Sequence, residues 1–417
     1  MTQSSDMVAD IDLSSLEFWE LPLEVRDEAL SRLRRYAPVR HFDEPLWSYD
    51  EEGRGFYAIT RHADLIEVSR NPEVFSSAQG AVSIPDMPEE FIEFFGSMIN
   101  TDDPRHGSLR RIVSAAFTPK RLHALEAAIT RRAHELVARF AEAGSGDFVS
   151  QVAAALPLGI ICEMMGVPSA EDATVLAHSN VILGAFDERF VSADQDPFEA
   201  ILTSAIALRE LMELIADDRR THPRDDVTSA LVHGEAGGEH LSTSELASFF
   251  ILLVVAGNET TRNAISWGMW ALHRFPEERR RWFASFDAMT STAVEEIVRW
   301  SSPVMFMRRT ATRNTQIRGV PIEEGAKVLL LYGSANRDEE VFTDPNVVNL
   351  AREGNRHVGF GGFGPHYCLG VHLARREIGA VFREISSRMP EYWVDGEPRR
   401  LRSNFINGLT ELRIRRD

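Results

Sequence analysis

Residues 357–377 read HVGFGGFGPHYCLGVHLARRE. Gly359, Gly361, Gly362 and Gly364 precede Cys368, and Gly370 follows it by two positions. Beyond Gly370, apolar residues recur at helical spacing over 372–388. Glycine lets a backbone adopt φ > 0 and lie close against a flat object. A cysteine at the entry to a helix meets the positive end of the helix dipole and its free amides, which favour the thiolate. Two plainer readings compete. Gly359-x-Gly361-x-x-Gly364, with Glu384 twenty residues on, has the form of a dinucleotide fingerprint. No convincing strand precedes it, however, and too little chain follows to complete a nucleotide-binding half. The other is a buried cysteine in a glycine-rich turn.

The rest of the chain narrows the choice. It has 417 residues, 44% hydrophobic and 26% charged, an ordinary globular composition rather than a disordered one. Cys162 and Cys368 are its only cysteines, which excludes a disulfide scaffold and a zinc site of paired cysteines. The formal charge of −18 excludes a nucleic-acid binder that relies on bulk positive charge. Cationic charge is almost all arginine; Lys120 and Lys327 are the only lysines. The N-terminus lacks a basic region followed by an apolar run, so it does not read as a secretory signal. The most apolar window, Phe249 to Gly257, is too short to cross a bilayer. These features predict a soluble, cytoplasmic protein with no membrane anchor.

Helical periodicity dominates. Over 121–142, Leu122, Leu125, Ile129, Ala133, Leu136 and Phe140 share one face, with Thr118 as the expected cap and Pro119 at the first position. Residues 199–217 and 289–300 carry the same pattern. Strand signals are few: FYAIT at 56–60, KVLLLYG at 327–333, and a hairpin over 320–328 turning at Glu323-Glu324-Gly325. Length alone suggests about three domains, yet no linker divides the chain. The loose stretches 76–90 and 233–243 suit surface loops. The expected fold is mainly α with small β-sheets, one large domain over 1–417, its first 20 residues a flexible segment.

A thiolate held at a helix entry is a good iron ligand, and in a haem it pushes electron density toward bound dioxygen. At this point the resemblance becomes plain. The segment resembles the haem-binding loop of cytochrome P450 monooxygenases, with Cys368 in the axial ligand position and Gly364, His366 and Gly370 matching the family pattern. Phe360 lies eight residues before Cys368 instead of the usual seven, so either Phe360 or Phe363 could shield the sulfur. Gly362 falls within the same cofactor loop.

Three further motifs follow the family order. Glu296-Ile-Val-Arg299 places a carboxylate and a guanidinium on one helix face; the resemblance implies that Arg352 completes a structural trio. In Ala256-Gly257-Asn258-Glu259-Thr260-Thr261, a glycine and polar residues interrupt an apolar helix pattern at a cost in stability. The resemblance implies that Ala256 and Gly257 make room for dioxygen, and that Glu259 and Thr260 deliver protons. In Asp103-Pro104-Arg105-His106-Gly-Ser-Leu-Arg110, His106 and Arg110 share a helix face. With Arg309 and His366, the resemblance makes them ligands of haem propionates. It therefore implies the P450 fold enclosing haem b.

Stretches such as FFGSMINTDDPRH and FFILLVVAGNETTRNAI resemble mycobacterial P450s that oxidise the terminal (ω) carbon of methyl-branched fatty acids, isoprenoids and sterol side chains. By position the pocket walls are Phe94, Phe95, Met98, Ile99, Leu252, Val255, Ala256, Val304, Met305, Phe405 and Ile406, all compatible with an apolar substrate and equally with plain core. The chain contains no flavin or nicotinamide module and no iron–sulfur cysteines. The resemblance implies electrons from a ferredoxin and its ferredoxin reductase, with O2 as co-substrate. Arg105, Arg110, Arg111, Arg375 and Arg376 are the candidate docking patch. The rivals are a peroxide-driven peroxygenase and a non-catalytic haem or lipid carrier or gas sensor. The Glu259–Thr260 pair argues against the first, and the lack of an attached output domain gives no support to a sensor.

Overall fold

The computed structural model describes residues 7–45, 53–86, 97–117, 119–235 and 240–416. Its main helices are α1 (Leu23–Tyr36), α2 (His62–Ser69), α3 (Arg105–Ala116), α4 (Pro119–Ala143), α5 (Ala155–Met165), α6 (Asp172–Gly184), α7 (Pro197–Thr221), α8 (Thr243–Leu253), α9 (Glu259–Arg274), α10 (Phe286–Ser301) and α11 (Val371–Arg388). The long periodic stretches became helices as their apolar spacing predicts. Helix α4 starts at Pro119; the expected cap, Thr118, lies outside the described residues.

Ser242 and Glu245 start α8 with a reciprocal capping box. Between α8 and α9, Val254–Asn258 form a π-helical turn, a widening common at functional sites. Helix α9 runs through the interior and is buried on every side from Thr261 to Leu272. Its Trp267 donates to the carbonyl of Asn407 at 2.8 Å. One large apolar cluster joins α4, α5, α8, α9, α10 and α11.

The main sheet holds β1 (Val39–Phe42), β2 (Phe56–Ile59), β3 (Phe75–Ser76), β4 (Phe306–Ala311) and β5 (Lys327–Leu331) in the order β1-β2-β5-β4-β3. Pairing is antiparallel except between β2 and β5. Every residue of β5 is buried, as its unbroken apolar run requires.

Two expectations are corrected. The predicted hairpin over 320–328 does turn at Gly325, but its arms do not pair. Val320–Ile322 pairs back onto Thr315–Ile317, while β5 joins the main sheet. The N-terminal stretch is not loose over residues 7–20. Val8, Ile11, Leu13, Phe18 and Trp19 are buried in a cluster with β2, β4 and β5, and Trp19 donates to the Leu13 carbonyl at 3.1 Å.

Candidate functional site

Helix α10 anchors the cysteine loop. Glu296 and Arg299, both fully buried, form a two-pronged pair with both N–O distances 2.7 Å. Arg352 adds its Nε at 3.1 and 3.2 Å, and the Asn349 amide donates to Glu296 at 3.0 Å. Arg299 also donates to the carbonyls of Asn336 and Pro345, which ties the chain after β5 to the helix. Asn336 in turn accepts from the Val358 amide at 2.7 Å. One residue earlier on α10, Glu295 takes a two-pronged bond from Arg375 of α11, at 2.6 and 2.9 Å, and lies 3.0 Å from His357. Burial would raise the Glu295 pKa, but His357 and Arg375 hold it at about 2. The loop is therefore clamped at its start and just past its end.

Within the loop, the Cys368 amide donates to the Phe360 carbonyl at 2.9 Å. Gly361 has φ +107°, a conformation other residues rarely adopt. Gly362 and Gly364 press against Ser69 of α2, where a Cβ would clash. Gly362 thus seats the loop on a helix and does not line the cavity, contrary to expectation. Phe363 is also corrected. It is 42% exposed and stacks on Tyr367. Phe360 is the aromatic that lines the cavity floor beside Cys368.

That cavity measures about 220 Å³. Phe360, Gly361, Cys368 and Gly370 form one wall, and Ala256, Gly257, Thr260 and Thr261 belong to the helix side. Arg110, Arg309 and His366 also line it. His106 packs on His366 with ring centres 4.2 Å apart, and its buried Nε2 has no hydrogen-bond partner. Burial, with Arg309, His106 and Arg110 beside it, pushes His366 down to about 2. Burial and Arg110 likewise lower His106. Arg110 donates to the Tyr367 carbonyl at 2.6 Å, and Arg309 to the Arg308 carbonyl at 2.7 Å. Two guanidinia and two neutral imidazoles thus converge, with an orphaned ring nitrogen among them. This set fits the acidic arms of a flat ligand whose face would lie against the glycine loop.

Cys368 is half-buried, its accessible surface lining this cavity. Burial pushes its thiol up, while the Gly370 amide, Arg110 and Arg375 pull it down; burial wins. The helix-entry argument alone underestimated that cost.

On the opposite wall, the Thr260 hydroxyl donates to the Ala256 carbonyl at 2.7 Å, inside the π turn. Gly257 also lies against Ile161, which a Cβ would meet at 2.8 Å. Glu259 is not brought to the cavity. Its carboxylate is buried and bonded to Arg262 at 2.8 Å, on the side facing α6.

A second cavity of about 240 Å³ shares Ile99, Leu252, Ala256, Thr260, Val304 and Met307 with the first. Val255, Phe405 and Ile406 line it as expected, and Met98 lines the first cavity. Phe94 and Phe95 lie outside the described residues. Met305 is corrected: it is buried among N-terminal and sheet residues and packs on Gly333. Met307 takes the wall position instead. Sequence reasoning also missed Ile182, Phe186 and Phe198, around the α6–α7 turn. The signal was there in VILGAF at 181–186, an apolar run at the end of a helix.

Among the described residues, no helix is long and apolar enough to cross a membrane. A helical fold closing on a cysteine-floored cavity with an anion-binding edge defines a thiolate-ligated haem protein. The cytochrome P450 family model matches residues 288–387, the segment holding the Glu296 network and Cys368. The chain is 48% identical to a methyl-branched lipid omega-hydroxylase of Mycobacterium bovis, over 98% of this chain and 95% of that protein. It is 39% identical to a steroid C26-monooxygenase of Rhodococcus jostii, over 93% and 81%. A Mycobacterium marinum cytochrome P450 solved with pseudoionone superposes with a TM-score of 0.93 at 38% identity, covering 97% of this chain and 98% of that one. The chain belongs to the cytochrome P450 family and is a monooxygenase.

Proposed function

We propose that this P450 hydroxylates the ω carbon of a methyl-branched fatty acid, an isoprenoid or a sterol side chain, in the cytoplasm, with the whole chain acting as one haem-enclosing domain. The observation that carries this reading is the chamber. It is lined mostly by apolar side chains and shares Ala256 and Thr260 with the Cys368 cavity. A chain end that fills it arrives at that wall, while the flank is held by side chains. The names of the relatives support the same substrate class.

Cys368 would hold the iron of haem b, and His106, Arg110, Arg309 and His366 its propionates. The bound haem supplies O2 activation, a chemistry no side chain here provides. Thr260 would pass a proton into the cavity by exchanging its bond to the Ala256 carbonyl, a role its position on that wall supports. Glu259 acts at one remove, since its carboxylate must leave Arg262 to reach that side.

Electrons come from outside, from a ferredoxin reduced by its reductase. Of the candidate docking arginines, Arg105 pairs with Glu245, Arg375 with Glu295, and Arg110 turns to the cavity. Arg111 and Arg376 remain for the partner.

A Soret-shift titration tests the substrate reading, with branched lipids and cholest-4-en-3-one set against straight-chain lipids, followed by product analysis. Tighter binding of branched chains and a terminal alcohol are expected. Equal binding of straight chains, or subterminal products, would overturn it.

A further inference from the structure

The wall of the substrate chamber holds a carboxamide that the fold leaves unused. Most other polar groups there are spent. The Thr260 hydroxyl donates to the Ala256 carbonyl, and Ser403 Oγ accepts from the Phe405 and Ile406 amides at 3.2 and 3.1 Å. Asp86 pairs with Arg308 and Lys327, and Ser248 is partnered as well. Ser83 and Ser97 carry single hydroxyls, which can turn to nearby backbone carbonyls. Asn404 differs. It lines the chamber at 9% exposure, and among the described residues nothing hydrogen-bonds its carboxamide.

The segment that carries Asn404 is firmly mounted. Ile406 bridges to Val304, the Met305 amide donates to the Phe405 carbonyl at 2.8 Å, and the Asn407 amide donates to the Pro303 carbonyl at 2.9 Å. Asn407 shows what a buried carboxamide does when the fold needs it. Its side chain donates to the Ser301 carbonyl at 2.6 Å and accepts from Arg26 at 3.1 Å. Asn404, three residues earlier, has no such duty. Val304 borders both cavities, whereas Asn404 borders the chamber alone. A lipid held at Asn404 leaves its other end free to reach Ala256 and Thr260.

We infer that Asn404 is a specificity-determining residue, whose carboxamide hydrogen-bonds an oxygen of the lipid: the ketone of a sterol or the carboxyl of a branched fatty acid. This rests on the lipid reading above. A carboxamide offers two N–H donors and a carbonyl acceptor, so it serves ketone, carboxyl and hydroxyl oxygens alike. A hydrocarbon laid over it would cut it off from water and return nothing. A site of this kind selects mainly by rejecting the analogue that lacks the oxygen.

Soret-shift titrations of the haem-loaded protein test this with two pairs that differ in the oxygen function. One is cholest-4-en-3-one with cholest-4-ene. The other is a trimethyl-branched dodecanoic acid with the hydrocarbon of the same skeleton, and dodecanoic acid is the straight-chain reference. The quantity read is the ratio of affinities within each pair, in the wild type and in Asn404→Leu, which keeps a branched side chain and removes the hydrogen bonds. The preference for the oxygenated member is expected to fall about tenfold in the variant. A fall in the ketone pair alone assigns the contact to the sterol ketone, and a fall in the acid pair alone assigns it to the carboxyl. Asn404→Ser keeps a donor on a shorter arm; its ratios are expected to lie between, and it carries the test if Asn404→Leu fails to hold haem. Ratios unchanged in both pairs overturn the inference. The wild-type preference for the branched over the straight acid decides the lipid reading separately, so the two can fail independently.

Discussion

Glu259 and Thr260 are consecutive, yet their polar groups face different compartments. The Thr260 hydroxyl bonds the Ala256 carbonyl at 2.7 Å on the wall shared by both cavities, while the Glu259 carboxylate bonds the buried Arg262 at 2.8 Å. Adjacent helical residues project about 100° apart, enough to separate them. Removing each should therefore do different things. Thr260→Ala is expected to lower product formed per O2 consumed and to raise peroxide release, with little change in melting temperature; Thr260→Ser should restore coupling. Glu259→Ala strands a buried guanidinium and is expected to cost about 3–5 kcal/mol in urea unfolding. Oxygen, peroxide and product stoichiometry reads the first effect, and unchanged coupling in Thr260→Ala would remove it from proton delivery.

The Glu296 network yields a graded prediction. Glu296 faces two guanidinia and the Asn349 amide with no exposure to solvent. Glu296→Gln leaves Arg299 and Arg352 without a counter-charge, so a loss of about 3–5 kcal/mol is expected, with poor retention of haem. Arg352→Ala should cost less, about 1–3 kcal/mol, because Glu296 keeps Arg299. Denaturant unfolding and haem-to-protein ratios of the purified variants check that order. A larger loss for Arg352→Ala would mean that the chain after β5 depends on Arg352 and not on the pair.

What could be read from the sequence follows how local each interaction is. Glu296 and Arg299 meet because one helical turn joins them, and the spacing says so. Cys368 stands out because its glycines and the helix after it are contiguous. Arg352 became legible only through family resemblance, since nothing local points it at Glu296. Most of the errors depend on a distant neighbour: Ser69 takes the space beside Gly362, and Gly333 receives Met305. Glu259 is the exception, its carboxylate won by Arg262 one helical turn on, an ion pair the spacing already allowed. The 320–328 hairpin failed because β2 and β4 compete for β5, and such pairing is decided across the fold. The N-terminal stretch looked loose because Val8, Ile11 and Leu13 follow no helical period, yet all are buried.

Glu377 supplies a pH signature. It lines the Cys368 cavity, 2% exposed, with one oxygen bonded to Thr261 and the other without a partner. Burial pushes its pKa up from 4.5 to about 8. Between those values the folded protein holds a proton that the unfolded chain has released. Stability therefore falls as pH rises through that window, and the cost is complete above about 8. Glu377→Gln keeps the shape without the charge. The variant should match the wild type near the acid end of the window and exceed it by roughly 2–4 kcal/mol at about pH 9. Parallel stability-versus-pH curves for the two proteins would show that Glu377 is not the source.

Phe360 and Phe363 separate by what lies beneath each ring. Phe360 lines the cavity beside Cys368, accepts the Cys368 amide at 2.9 Å, and carries Arg375 over its ring at 5.1 Å. Phe363 stacks on Tyr367 at the surface, with ring centres 5.9 Å apart. Only the first can keep water from the sulfur. Phe360→Ala should admit water that hydrogen-bonds the thiolate, weaken its electron donation, and raise the reduction potential of the haem-loaded protein. Phe363→Ala should leave the potential unchanged, and Cys368→Ser should abolish the thiolate-type ferrous–CO spectrum altogether. Spectroelectrochemical titration of the three variants decides it. A shift in Phe363→Ala with none in Phe360→Ala would return the shielding role to the exposed ring.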